Sequence, residues 1–262
     1  MNGCDRSGLM TVEEALEKLL AAAQPLSDTE TVSLMQALGR VLAADQQSPV
    51  DVPPADNSAM DGFALRFADC HAGEETTLPI SQRIPAGAVP EPLQPGSAAR
   101  IFTGAEVPPG ADTVVMQEQC RWDDARVTLA ADIKSGTNIR PIGQDIHRGA
   151  TVLVRGHRLK PQDLGLLASV GIAEVPVYRR LKVALLCTGD ELVEPGEPLP
   201  PGHIYNSNRF TLMGQLQALG FDYVDLGRVA DTPEATEQVL RRAAAEADCN
   251  ISSGGASVGD ED

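Results

Sequence analysis

Three short segments of the sequence combine acidic side chains with glycine, which suits the binding of a metal ion beside a phosphate. They are residues 56–62 (DNSAMDG), 188–192 (TGDEL) and 252–262 (SSGGASVGDED). Glycine-rich turns leave backbone N–H groups free to hold a phosphate or another oxyanion. Neighbouring carboxylates would repel that anion unless a cation lay between them, and carboxylate and phosphate oxygens together favour Mg²⁺. The sequence therefore predicts a site for a phosphate-bearing ligand bridged by magnesium.

Each segment also has a simpler interpretation that the residues alone leave open. Residues 253–259 could form an ordinary glycine turn at the end of a strand, and residues 188–191 could form a solvated turn with a helix cap. Asp61 could cap a turn through its own side chain. The stretch 140–148 could bind an anion or form an exposed loop. The histidines share no metal-ligand spacing, and they are His71, His147, His157 and His203.

The second and third segments follow strands in a region where strands and helices alternate. Residues 181–186 (LKVALL) form a nearly continuous apolar run, which is typical of a strand buried on both faces. The pattern continues with a helix at 209–219, a strand at 221–229, a helix at 232–247 and a strand at 248–252. Such units form a parallel sheet with ligands beyond the carboxyl ends of its strands. Both segments should therefore lie at one edge of a sheet.

The region before residue 181 predicts a different architecture. Helices are expected at residues 11–23, where Thr11 and Glu14 form a capping box, and at residues 31–38. Prolines and glycines separate short β-prone runs between residues 48 and 148, which indicates a small β-rich domain. A strand at 149–154 and a short helix at 161–170 should follow. The predicted fold class is α/β plus β, multidomain.

Only the first half of a doubly wound α/β domain is predicted after residue 180. Three strands and two helices would leave the sheet with an open edge and an uncovered face. We therefore expect the chain to be shorter than the fold it begins, with the remainder supplied by a longer product or by a partner.

Composition excludes several classes of partner. The chain has 262 residues, with 21 Lys and Arg against 37 Asp and Glu, which gives a net charge of −16. Such a charge opposes binding to nucleic acid and to anionic membrane surfaces. No apolar run approaches the roughly 20 residues of a membrane span, and the N-terminus has no signal pattern. The 5 cysteines are scattered and odd in number, so reduced thiols and a cytoplasmic location are expected.

In order along the chain, these segments resemble one family, the MoeA-type molybdopterin molybdenumtransferases, to which the gephyrin E domain is related. Each motif is weak by itself, whereas the ordered set is specific and extends over nearly the whole chain. The matching segments are residues 51–54 (DVPP), 57–62 (NSAMDG), 100–105 (RIFTGA), 108–118 (PPGADTVVMQE), 138–140 (NIR), 188–192 (TGDEL), 205–208 (YNSN), 231–234 (DTPE) and 253–259 (SGGASVG).

The resemblance implies a reaction, a fold and a set of partners. Members cleave AMP from adenylylated molybdopterin and place molybdate on its dithiolene sulfurs, with Mg²⁺ required and a homodimer as the active form. The resemblance also makes a molybdopterin adenylyltransferase a candidate partner. It implies an elongated N-terminal, dimerisation domain at residues 1–50 and 140–180, with a β-rich domain inserted at 51–139. Residues 181–262 would be a partial, MogA-like molybdopterin-binding α/β domain.

Site residues follow from the same motifs. The implied catalytic residues are Asp61, Thr103, Glu191 and Asp262. The implied substrate-binding residues are Thr188, Gly189, Asp231, Ser253, Gly254, Gly255, Ser257 and Gly259. The implied metal ligands are Asp190, Glu191, Asp145 and Asp61. The chain departs from the family at Gln144, where members usually have Glu, and this removes one charge from the loop that contains Asp145.

Two alternative functions stay open at this stage. The chain could be a non-catalytic dimerisation or scaffold module of the gephyrin type, because half of the α/β domain is missing. It could also be an adenylyltransferase-like molybdopterin-binding protein, since related α/β domains carry the TGDEL segment and the glycine turn. The long N-terminal region with residues 57–62 counts against that second alternative.

Overall fold

The protein is described here by a computed structural model that covers residues 10–254, and these form two compact units. One unit contains residues 10–43 and 176–254, and the other contains Ala44–Val175. The helices are α1 (Val12–Ala22), α2 (Leu34–Ala37), α3 (Pro161–Ser169), α4 (Ser207–Leu219) and α5 (Pro233–Glu246). The strands are β1 (Thr29–Ser33), β2 (Gln46–Gln47), β3 (Asn57–Ser58), β4 (Gly62–Leu65), β5 (Thr76–Ile84), β6 (Ala98–Ile101), β7 (Thr113–Met116), β8 (Cys120–Trp122), β9 (Arg126–Leu129), β10 (Ile139–Arg140), β11 (Thr151–Leu153), β12 (Glu174–Tyr178), β13 (Lys182–Thr188), β14 (Leu192–Val193), β15 (Ile204–Tyr205), β16 (Asp222–Val229) and β17 (Cys249–Ser253).

The unit formed by residues 44–175 is built on a six-stranded sheet in the order β7-β4-β6-β5-β9-β8. Successive residues of β4 point to opposite faces, so Ala64 joins one apolar cluster while Phe63 and Leu65 join another. Strands β4 and β6 are antiparallel, and Gly62 at the start of β4 pairs with Ile101 at the end of β6. The residues just before Gly62 and just after Ile101 therefore meet at one end of the sheet.

The unit formed by residues 10–43 and 176–254 contains a three-stranded parallel sheet in the order β16-β13-β17. The central strand β13 is buried from Val183 to Cys187, as its continuous apolar run predicts. The chain passes through α4 to β16 on one side of β13 and then through α5 to β17 on the other side. This change of direction creates a topological switch point between β13 and β17, where ligands bind in open α/β sheets.

Most of the predicted elements are confirmed. The β-α-β-α-β alternation is present, α5 begins with Pro233 after a cap at Thr232, and β11 and α3 occupy their expected places. Helix α1 has the expected capping box, in which Thr11 and Glu14 each accept a hydrogen bond from the other's backbone N–H. Within residues 10–254, no helix combines the length and the apolar character needed to cross a membrane.

The predicted helix at residues 31–38 is wrong over its first half. Thr29–Ser33 form strand β1, and only Leu34–Ala37 are helical. Thr31 and Val32 are β-branched, and such side chains favour strands. Val32 is also buried, so tertiary packing supports the extended conformation.

Candidate active site

The carboxylate of Asp61 is fixed by a residue from a distant part of the chain. Its Oδ1 accepts one hydrogen bond from the backbone N–H of Thr103 at 2.8 Å and another from the Thr103 hydroxyl at 2.7 Å. The backbone N–H of Thr103, followed by its hydroxyl, lowers the pKa of Asp61, since both donors stabilise the charged form. The structure thus brings together two of the predicted catalytic residues, and neither hydrogen bond occupies Oδ2.

Backbone hydrogen bonds hold the two loops that carry Asp61 and Thr103. The Ser58 N–H donates to Ala105 O at 2.9 Å, and the Gly104 N–H donates to Ser58 O at 2.8 Å. Gly62 is required directly after Asp61, because a Cβ there would lie 2.0 Å from the carbonyl oxygen of Val115. The sheet therefore determines where Asp61 can lie, and a residue with a side chain at position 62 would displace β4 or β7.

Asp145 lies in the same unit, where it forms an ion pair. The Arg140 Nη2 donates to Asp145 Oδ2 at 2.6 Å, and both side chains are close to half exposed. Strand β10, which contains Arg140, pairs with β3 three residues before Asp61 in the sequence. The segments that carry Asp61 and Asp145 therefore border the same pair of strands. In this conformation, Arg140 would compete with a metal ion for the Asp145 carboxylate.

The other unit brings predicted substrate-binding residues together at the switch point. Thr188 ends β13, and Gly254 follows the neighbouring strand β17. A Cβ on Gly254 would lie 2.5 Å from Thr188 Oγ1 and 2.8 Å from the Thr188 carbonyl oxygen, and the φ angle of Gly254 is 101°. Only glycine allows the two backbones to approach this closely. Ser253 also contributes, since its Oγ accepts a hydrogen bond from Asn208 Nδ2 at 3.0 Å.

The loop after Thr188 carries acidic residues and is held mainly through its backbone. The Asp190 N–H donates to Asp231 Oδ2 at 2.8 Å, so this predicted substrate-binding residue positions the loop. Arg228 Nη1 donates to the carbonyl oxygen of Asp190 at 3.3 Å. The Glu191 carboxylate folds back over Gly189, where a Cβ would lie 2.5 Å from Glu191 Oε2. Gly189 has a φ angle of 143°, which favours glycine.

The predicted metal ligands fall into both units. Asp61 and Asp145 belong to the unit of residues 44–175, whereas Asp190 and Glu191 belong to the other. Within residues 10–254, no three His, Cys, Asp or Glu side chains are arranged to bind one metal ion. Four residues assigned to the site by resemblance lie outside the described part of the chain, and they are Gly255, Ser257, Gly259 and Asp262.

Sequence reasoning assigned no role to two residues that contact these sites. Asn208 lies in the YNSN motif, but only the fold shows that the first turn of α4 faces the end of β17. Arg100 lies in the RIFTGA motif, and its side chain donates to the carbonyl oxygen of Gly62 at 3.0 Å. Both motifs were visible in the sequence, whereas the contacts join residues that are 45 and 38 positions apart.

Comparisons with known proteins agree with this architecture. Residues 10–171 match the family described as the MoeA N-terminal region (domain I and II), and residues 184–262 match the family described as a probable molybdopterin binding domain. A molybdopterin molybdenumtransferase of Haemophilus influenzae is 43% identical over 256 residues, which are 97% of this chain and 63% of that protein. A molybdopterin molybdenumtransferase of Nostoc sp. is 44% identical over 239 residues, which are 90% of this chain and 55% of that protein.

A solved structure shows the same fold. The crystal structure of the molybdopterin biosynthesis moeA protein of Pyrococcus horikoshii OT3 superposes with a TM-score of 0.86 at 35% identity, and the match covers 92% of this chain and 65% of that one. The chain thus spans less than two thirds of the length of these relatives. The match to the MoeA N-terminal region covers more than half of the residues of this chain, and the chain therefore belongs to the MoeA family.

Proposed function

We propose that this chain acts in molybdenum cofactor biosynthesis, as a molybdopterin molybdenumtransferase that transfers molybdate to the dithiolene of adenylylated molybdopterin and releases AMP. The observation that carries the proposal is the close approach of Gly254 to Thr188 at the switch point, next to the acidic loop with Asp190 and Glu191. That switch point lies in the segment that matches a probable molybdopterin binding domain, and two relatives are named for this activity.

The switch-point residues would bind the phosphate-bearing substrate. Thr188 and Ser253 offer hydroxyl groups at the carboxyl ends of adjacent strands, and Gly254 lets the two strand ends approach closely, since a Cβ there would lie 2.5 Å from Thr188 Oγ1. Asp231 acts through the loop, because its carboxylate accepts from the Asp190 N–H. By resemblance, Gly255, Ser257, Gly259 and Asp262 would complete the glycine-rich turn and its acidic end.

Mg²⁺ fits the donor set of the acidic loop. Asp190 and Glu191 are adjacent exposed carboxylates, and magnesium in proteins takes one or two carboxylates together with substrate phosphates and water. When bound, the ion would neutralise phosphate charge and stabilise the leaving AMP.

Asp61 and Thr103 would hold and orient the reacting groups. The paired donors of Thr103 keep Asp61 ionised and fix Oδ1, so Oδ2 can accept a hydrogen bond from the substrate or contribute to ion binding. Asp145 is the fourth proposed ligand, and it would have to exchange its ion pair with Arg140 for the metal.

A homodimer, a cytoplasmic location and a partner are parts of the same proposal. Helix α1 buries none of its residues, and its exposed apolar side chains suit a second copy of the chain. These side chains are Val12, Leu16, Leu19 and Leu20. Cys70, Cys120, Cys187 and Cys249 are free thiols, which are common in reducing compartments. Because the substrate is adenylylated, a molybdopterin adenylyltransferase is the proposed supplier of substrate.

Complementation tests the activity. A bacterial strain without its own molybdenumtransferase receives the gene that encodes this chain, and nitrate reductase activity reports the cofactor. Asp61→Ala and Glu191→Ala should each reduce the activity by about 100-fold or more, as expected for groups that stabilise the transition state. Glu237→Gln is the matched control, because Glu237 is an exposed carboxylate that pairs only locally with Arg241 on α5. Full activity in both alanine variants would show that the site assignment is wrong.

Ligand binding by the purified chain separates the alternatives. Molybdopterin should bind, and Gly254→Val should abolish the binding. A stable dimer without molybdopterin binding would favour a scaffold role, whereas ATP-dependent adenylylation of molybdopterin would favour an adenylyltransferase.

A further inference from the structure

The side chain of Arg100 lies among aromatic rings below the loops that carry Asp61 and Thr103. Its guanidinium carbon is 4.9 Å from the ring centroid of Phe63, 4.8 Å from that of Phe102 and 5.0 Å from that of Trp122. These distances are in the range of cation–π attraction, which increases as the cation loses contact with water. The rings thus hold a partly buried cation in a defined place, and the proposed reaction assigns no role to it.

Hydrogen bonds connect the same guanidinium to the Asp61 loop. Arg100 Nη1 donates to the carbonyl oxygen of Gly62 at 3.0 Å, and Nη2 donates to the side-chain oxygen of Gln117. The backbone N–H of Gln117 in turn donates to the carbonyl oxygen of Asp61 at 3.0 Å. Arg100 therefore reaches Asp61 from both directions, once through the next residue in the chain and once through Gln117.

The aromatic contacts extend this connection to Thr103. Phe102, which stacks on the Arg100 guanidinium, immediately precedes Thr103, and Phe63 immediately follows Gly62. Arg100 thus contacts residues that are next to the acceptor Asp61 and to the donor Thr103 in the sequence. A planar guanidinium can stack and donate in two directions at once, whereas a lysine ammonium cannot reproduce that geometry.

We propose that Arg100 is a positioning residue that holds Asp61 and Thr103 in the orientation of their hydrogen bonds. Gln117 connects Arg100 to the Asp61 backbone. The expected effect of Arg100 on kcat rests on the proposed function, whereas its expected effect on the Asp61–Thr103 hydrogen bonds does not. Without Arg100, the backbone hydrogen bonds between the two loops would remain, but the Asp61 carboxylate and the Thr103 N–H would be held less firmly at hydrogen-bond distance.

Arg83 provides a matched control on the neighbouring strand. It pairs with Arg100 in the register of β5 and β6, and its guanidinium carbon lies 4.5 Å from the Phe102 ring centroid. It therefore shares residue type, charge and one aromatic partner with Arg100. No hydrogen bond from Arg83 to the loops of Asp61 or Thr103 is found in the part of the chain that the structure describes.

Hydrogen exchange tests the positioning without any substrate. In Arg100→Gln and Gln117→Met, the Thr103 amide should exchange about 10-fold faster, as expected when about one hydrogen bond is lost. In Arg83→Gln, which removes one cation–π contact with Phe102, it should exchange less than about 3-fold faster. Arg100→Lys should give an intermediate rate, because it keeps the charge but loses the planar fork. Should Arg100→Gln fail to fold, Arg100→Lys and Gln117→Met decide the result, and unchanged Thr103 exchange in both would overturn the proposal.

Steady-state kinetics then test the consequence for the reaction. Arg100→Gln should lower kcat on the order of 100-fold, as a misplaced catalytic group does, with KM for molybdate changed by less than about 3-fold. Arg83→Gln should leave both unchanged. Equal loss of kcat in the two variants would overturn the positioning role. Faster Thr103 exchange in Arg100→Gln, together with no molybdate transfer by the unaltered protein, would retain the positioning and reject the proposed function.

Discussion

The two candidate sites of this chain are built in opposite ways. Around Asp61, the antiparallel pair of strands β4 and β6 in a mixed sheet brings together side chains that are 42 positions apart, and Thr103 already satisfies one carboxylate oxygen. At the switch point, a parallel sheet brings two backbones together at Gly254 and Thr188, and the nearby Asp190 is held by its main chain. The first site is organised around a protein charge before any ligand arrives, whereas the second brings two strand ends and their hydroxyl groups together.

This difference separates orientation from binding. A carboxylate whose pKa is lowered by the Thr103 N–H and hydroxyl has a fixed charge and direction, which suits a role in the reaction itself. A glycine turn with hydroxyl groups beside it suits recognition of a phosphate. We therefore expect changes to Asp61 and Thr103 to reduce kcat, and changes to Gly254 and to the contacts of Ser253 to weaken substrate binding.

The largest effect on stability is expected from Gly62→Ala. Its Cβ would lie 2.0 Å from the carbonyl oxygen of Val115, so β4 and β7 would have to separate. The free energy of unfolding should fall by about 3 kcal/mol or more, as for other severe backbone clashes, and activity should be lost with it. Urea unfolding measures the change. Gly165→Ala in α3 is the control, because a Cβ there meets nothing within 4 Å, and it should raise stability by about 0.5–1 kcal/mol. Equal stability of the two variants would contradict the close approach.

Gly254→Ala should separate binding from stability. Its Cβ would lie 2.5 Å from Thr188 Oγ1 at the carboxyl ends of β13 and β17, a less severe approach than the 2.0 Å at Gly62. Molybdopterin binding should weaken on the order of 100-fold, with a stability loss of about 1–3 kcal/mol from the strained backbone. Gly196→Ala is matched in backbone angle, since φ is 98° against 101°, and a Cβ there meets nothing within 4 Å. It should lose no more stability than Gly254→Ala and no affinity, and an equal loss of affinity in both would refute a role of Gly254 in substrate binding.

The unit that contains the switch point should lose stability in acid, because Asp248 becomes protonated. Hydrogen bonds from Arg179 at 2.6 and 2.7 Å, followed by one from the Lys182 N–H, lower the pKa of Asp248 from 3.8 to about 2. Because the folded-state pKa is the lower one, the stabilisation is present above pH 3.8 and is lost as the pH falls towards 2. Asp248→Asn should cost about 2 kcal/mol at pH 7 and remove this part of the acid sensitivity.

A neighbouring carboxylate is the control for that titration. Asp222 lies 3.8 Å from Arg180, and its side chain is 60% exposed, so Asp222→Asn should change stability by less than about 0.5 kcal/mol. Chemical denaturation at pH 2, 4 and 7 gives the comparison. An acid profile of Asp248→Asn that parallels that of the unaltered protein would contradict the assignment of the ion pair.

Local patterns predicted much of the fold but not the contacts within the sites. The capping box at Thr11 and the apolar run of β13 each consist of residues that are close in the sequence, so α1 and β13 could be inferred from them. Strand β1 was missed because Val32 becomes extended through burial, which a short window does not reveal. The bond between Asp61 and Thr103 depends on the register of β4 with β6, and no pattern in the sequence determines that register.

The smallest expected effects come from one side-chain deletion in each site. Asn208→Ala removes the donor to Ser253 Oγ at 3.0 Å, and it should raise KM for molybdopterin about 5- to 10-fold with kcat unchanged. Thr103→Val removes only the hydroxyl bond to Asp61 and keeps the backbone one, so kcat should fall about 10-fold with KM unchanged.

A second substitution serves as the control for each of these variants. Thr211→Val on α4 removes a hydroxyl that donates within the helix, at 3.2 Å to the Ser207 carbonyl oxygen, and it should alter neither constant. Thr103→Ser keeps the hydroxyl and should restore kcat. If Asn208→Ala lowered kcat and Thr103→Val raised KM, the assignment of binding to the three-stranded parallel sheet and of orientation to the six-stranded mixed sheet would be wrong. A site where the ligand is recognised before the reaction can lose affinity alone, whereas a carboxylate that acts only in the transition state can lose rate alone.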